Sequence, residues 1–106
     1  MANVVNPKTF SFESLDHSKI IRYDVGFFTP NSTTPVFISA YLPANLRGTP
    51  PAMTGDLVKP AFGNNLCIKV KAVGAAAGGG EIDAGWSVAS NIFDFAPEIP
   101  TLVQVS

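Results

Sequence analysis

The chain has 106 residues, enough to close one hydrophobic core without metals or disulfides. Apolar residues make up 46% and charged residues only 14%, with a formal net charge of −1; an average globular domain is about 25% charged. Seven dispersed basic residues do not build the converging cation surface that phosphate backbones or anionic lipids require, so neither nucleic-acid nor membrane partners are expected.

The first segment, Lys8 to Phe12, reads as a short strand through Phe10 and Phe12. Ser14 to Ser18 follows as a turn carrying the single histidine, His17, beside Asp16. Lys19 to Phe28 alternates Ile21, Tyr23, Val25 and Phe27 on one side, the pattern of a strand with one face inward. Thr29 to Thr34 is a polar turn. Pro35 to Leu42 then carries β-formers on both faces, Val36, Ile38, Ala40 and Leu42 against Phe37, Ser39 and Tyr41, and so reads as a central strand covered on both sides.

Pro43 to Asn65 reads as one long Pro-rich connection, with room for a single helical turn around Thr54 to Lys59. Its Met53, Leu57, Val58 and Phe62 are too apolar for an exposed loop, so they are expected to fold over the core or to form an interface with another subunit. Leu66 to Val73 alternates apolar residues with Cys67, Lys69 and Lys71, as a half-exposed antiparallel strand does. Ile82 to Ala89 alternates again, with Ile82, Ala84, Trp86 and Val88 on one face. Gly78-Gly79-Gly80 between the two makes residues 66–89 a β-hairpin with a permissive tip. Ile92 to Phe95 and Thr101 to Val105 read as short closing strands, placed at sheet edges by Pro97 and Pro100. The sum is a single all-β domain over 1–106. An antiparallel β-sandwich or jelly-roll-like barrel of six to eight short strands, with one long Pro-rich loop, is the expected architecture.

Chemistry is sparse. A Ser/His/Asp triad draws its members from separate segments, whereas His17, Asp16 and Ser18 share one turn. Cys67 lacks a histidine partner and sits between Leu66 and Ile68, where cysteine packs as a small apolar side chain. One Cys and one His do not make a zinc site. Glu81 and Asp83, with Asp94 and Glu98, are the best oxygen cluster for calcium, and two carboxylates on one strand face are more commonly just solvated. The glycine run lacks the Lys-Ser/Thr pair of a phosphate loop. No catalytic residue, metal or cofactor is therefore expected, and no enzymatic activity.

Small, β-rich, Gly/Pro/Ala-rich and poor in charge, the chain is similar in general look to small assembly proteins, virion components among them, and to small lectin-like sandwiches. The leading expectation is a structural or protein-interaction module that forms a homo-oligomer. The alternative is a small-ligand or carbohydrate-binding domain with Trp86, Tyr41 and Asp83 as the binding platform. Met1 to Pro7 lacks the charged start and apolar run of a secretion signal, and no apolar run reaches the roughly 20 residues of a membrane helix. A cytoplasmic location, or a particle assembled inside a cell, is the expectation.

Overall fold

A computed structural model describes residues 3–14 and 18–106 of the chain. The turn at 15–17, with Asp16 and His17, lies outside the described residues. Eight strands follow in order: β1 (Val4–Val5), β2 (Thr9–Glu13), β3 (Ile20–Phe28), β4 (Phe37–Tyr41), β5 (Ala52–Asp56), β6 (Gly63–Ala75), β7 (Glu81–Asp83) and β8 (Phe93–Phe95). The only helical element described is a 3-10 turn at Pro43–Asn45. No described helix is long and apolar enough to cross a membrane.

The expected all-β character holds. Six strands form one sheet in the order β1-β8-β6-β3-β4, with β7 also on β6, and β2 and β5 make a separate two-stranded ribbon. Pairing is antiparallel except between β1 and β8, which run parallel.

β3 is the centre, and its sequence explains why. Tyr23, Val25 and Phe27 face the ribbon while Asp24, Gly26 and Phe28 face away, and all six are buried. On the ribbon side, Phe10 meets Tyr41 edge-on at 5.1 Å, Phe12 lies 4.9 Å from Tyr23, and Phe27 lies 6.0 Å from Phe95. Leu66, Ile68 and Phe93 complete this cluster. Each such side chain removed from water contributes about 1.5–3 kcal/mol, so this aromatic layer supplies most of the drive for the two layers to meet.

Several expectations change. The Pro35–Leu42 strand is an edge rather than a centre: β4 pairs with β3 alone, and Val36 and Ile38 are 61% and 47% exposed. Two apolar faces were the signal for burial, but no strand among the described residues covers the outer flank of β4. Within the 43–65 connection the chain forms β5, which overlaps the stretch from Thr54 where the sequence left room for a helical turn. Met53 and Gly55 point inward from it, and glycine is needed because a Cβ at position 55 would stand 2.6 Å from Cζ of Phe10. A strand alternates these positions; a helix would not.

The hairpin forms, with residues 76–80 as its tip, yet its return strand ends at Asp83. Ile82 and Val88 are exposed, so the apolar face expected along 82–89 is not buried as one. β8 sits between β1 and β6, not at an edge as its neighbouring prolines implied. Thr101 to Val105 joins no sheet.

Candidate interaction surface

The outer flank of β6 shows how this sheet satisfies a strand edge. After β7 the chain runs beside β6 without regular strand geometry, and two serines replace the missing ladder. Val70 N–H donates to Ser87 Oγ at 2.9 Å while Ser87 N–H donates to the Val70 carbonyl. Ile68 and Ser90 repeat the arrangement at the same distance. Further along, Asp94 Oδ1 accepts from the Asn65 N–H at 2.9 Å and from Asn3 Nδ2 at 3.0 Å, closing the bulge where β6 meets β8. The Asn3 amide, then the Asn65 N–H, hold the Asp94 carboxyl below the ordinary aspartate range.

β4 has none of this. No described segment pairs with its outer edge, and no charged residue stands between Asp24 and Arg47. At one end of β3 and β4 lies a groove of about 430 Å³, walled by Val36, Phe37, Phe62 and Leu66. Phe62 is 61% exposed on its rim, with Lys59 Nζ 5.7 Å from its ring. Edge strands usually carry lysine, proline or a bulge that discourages pairing; β4 itself carries none of the three.

The face of the sheet away from the ribbon is different in kind. Gly26 leaves the space that Trp86 fills, since a Cβ there would be 2.9 Å from both Trp86 and Phe28 rings. Trp86 meets Phe28 edge-on at 5.4 Å; Lys71 lies 4.6 Å from the Trp86 ring and Lys69 4.6 Å from the Phe28 ring. Beside them Arg22 donates to Asp24 at 3.0 Å and to Glu81 at 2.6 Å, which satisfies the buried Asp24 carboxylate and lowers the pKa of Glu81.

The residues singled out from sequence therefore separate. Trp86 is half-buried on this face, and Asp83 Oδ1 is engaged by the Gly85 N–H. Tyr41 is buried on the opposite face, where its hydroxyl donates to the Asp56 carbonyl, so the three do not share a platform. The strand register causes this, because Tyr41 pairs with Tyr23 and inherits its side of the sheet. Met53 is 1% exposed and belongs to the core, and Leu57 packs partly against it; Val58 and Phe62 remain on the surface. Glu81, Asp83 and Asp94 each hold separate partners, and among the described residues no three His, Cys, Asp or Glu gather to hold a metal ion. Cys67 is half-buried and unbonded to sulfur.

Sequence reasoning passed over the bare edge of β4. Its signal is present in the uncharged run from Val25 to Leu46, whereas the β-formers on both faces of Pro35–Leu42 read as burial within one chain.

No family model, no curated protein and no solved structure matches the chain.

Proposed function

We propose that the chain is a non-enzymatic structural module that assembles with copies of itself through the outer edge of β4. The observation that supports this is an unprotected strand edge, apolar on both faces, continuous with an apolar groove rimmed by Phe62. An edge strand offers a row of unpaired N–H and C=O groups, and pairing with a second β4 would satisfy them while covering Val36, Ile38 and Phe62. The six-stranded sheet and its two-stranded ribbon are read here as an open β-sandwich, one layer short of full cover. The scarcity of charge fits the same reading, since surface that is covered in an assembly needs no solvating side chains.

Light scattering coupled to gel filtration at micromolar concentration tests it. The native chain is expected as a dimer or larger. Ile38→Lys with Phe62→Lys, which place charge on the edge and the groove rim, are expected to shift it toward the monomer with the melting temperature nearly unchanged. A native chain that is strictly monomeric would overturn the proposal.

A further inference from the structure

The molecule holds a β-prone segment that joins no sheet and, among the described residues, a strand-shaped cleft with no strand in it. Residues 97–106 are exposed throughout, Leu102 at 93% and Val105 at 98%, although Thr101 to Val105 is rich in β-formers. In extended form Ile99, Thr101, Val103 and Val105 share one face, three of them aliphatic. Leu102 now sits at φ 53, in a region that a branched apolar residue leaves readily when a ladder is on offer.

The slot lies along β2. This strand pairs only with β5, so among the described residues its other edge has no strand beside it. On that side three adjoining cavities, of about 290, 330 and 140 Å³, share Ser11 and Ile68 between the first two and Phe12 and Ser87 between the last two. They form one cleft. Its floor is the ribbon-facing side of β6, Ile68 and Val70; its walls are β2 and the segment from Ser87 to Ser90. No residue of β5 lines it. Residues 99–105, at about 3.3 Å each, would extend roughly 23 Å, enough to run the full length of β2.

We infer that residues 97–106 of one chain occupy the β2 cleft of a second copy, adding a third strand to its ribbon. The inference rests on the reading of the chain as a self-assembling module and names the segment exchanged. Main-chain bonds to the free edge of β2 give affinity, and Ile99, Val103 and Val105 cover Ile68 and Val70. The geometry of the exit favours a second copy over the chain's own cleft. Asn6 grips Ala96 from both sides, its Oδ1 accepting from the Ala96 N–H at 2.9 Å and its Nδ2 donating to the Ala96 carbonyl at 3.1 Å. Pro97 and Pro100 then hold the residues before them extended, which opposes a tight reversal. The molecule is accordingly long, 64 Å against 30 and 26 Å in its other dimensions. Donor arm and acceptor cleft are different surfaces, so the contact is head-to-tail and builds rings or open chains.

The test compares the native chain with one ending at Ala96, which loses no core contact, and titrates the shortened chain with a fluorescent peptide of residues 97–106. The peptide is expected to bind, and Val103→Asp in the peptide, which loses one buried aliphatic contact, or Ala89→Trp in the cleft wall, which fills space the arm would take, to weaken it roughly tenfold or more. Ile38→Lys is expected to leave peptide binding intact. The native chain is expected to form larger species than the shortened one, with matching melting temperatures showing that both are folded. Failure of the peptide to bind, or binding lost with Ile38→Lys but kept with Ala89→Trp, would overturn the inference while leaving assembly through β4 standing. A peptide that binds the shortened chain while the native chain stays monomeric would show the arm in its own cleft and overturn exchange. A native chain that assembles no differently without its arm would overturn it as well.

Discussion

The two flanks of the main sheet solve the same problem in opposite ways. On the outer side of β6, the chain returns as β7, two serine hydroxyls and β8, and the N–H groups of Val70 and Ile68 both find acceptors. On the outer side of β4 no described strand returns, and an apolar strand meets solvent. Burial follows the same division: Phe93 and Phe95 beside β6 are 4% and 1% exposed, whereas Phe37 on β4 is 41% exposed. One flank is finished within the chain. The other leaves an apolar strand edge open among the described residues.

The largest expected effect tests this division directly. Phe93→Ala removes a ring packed edge-on to Phe95 at 5.1 Å and within 6.5 Å of Phe27, and is expected to cost about 3–5 kcal/mol in chemical denaturation. Phe37→Ala, whose residue is 41% exposed and whose one described ring contact is Phe27 at 6.0 Å, is expected to cost about 1 kcal/mol in the monomer. Equal losses would erase the distinction between the flanks.

A smaller effect is expected from the serines. Ser90→Ala deletes the acceptor of the part-buried Ile68 N–H and is expected to destabilise by about 1–2 kcal/mol; the more exposed Ser87→Ala should cost less, because water can replace the hydroxyl at Val70. Hydrogen exchange at Ile68 and Val70 amides reads the two sites separately. If neither amide exchanges faster in its variant, the hydroxyls are not what finishes this flank.

These contrasts also show what the sequence made legible. The strands from Lys19 to Phe28 and from Leu66 to Val73, which lie within β3 and β6 but for Lys19, are visible because alternation and β-branched or aromatic content agree there. The all-β class followed. What alternation cannot convey is which strand lies next to which. Thus Pro35–Leu42, with the strongest apolar pattern, was placed at the centre although it forms an edge. β5 was hidden because its inward positions are Met53 and Gly55, and glycine carries no hydrophobic signal even where Phe10 requires its absence of a side chain. The ladder built by Ser87 and Ser90 was equally silent, since a hydroxyl standing in for a backbone carbonyl has no period. Trp86, Tyr41 and Asp83 were grouped by chemistry alone, and register then set Tyr41 on the other face.

The smallest expected effect separates the flanks by pH. Asp94 binds its proton less tightly in the folded chain, chiefly because the Asn3 amide and then the Asn65 N–H donate to its carboxylate. The unfolded chain, with an aspartate near pH ~3.9, therefore takes up protons first as pH falls. The stabilisation is complete above that value and disappears as pH drops through the lower folded pKa. Asp94→Asn keeps an oxygen to accept from Asn3 and Asn65 but does not titrate, so its melting temperature should fall less between pH 5 and pH ~2.5 than that of the native chain. No carboxylate or histidine lies between Asp24 and Arg47, so β4 offers no matching acid response. Acid should loosen the junction of β1, β6 and β8 while the amides of β4 keep their protection from exchange, and loss of protection at β4 before that junction would reverse the order argued for the two flanks.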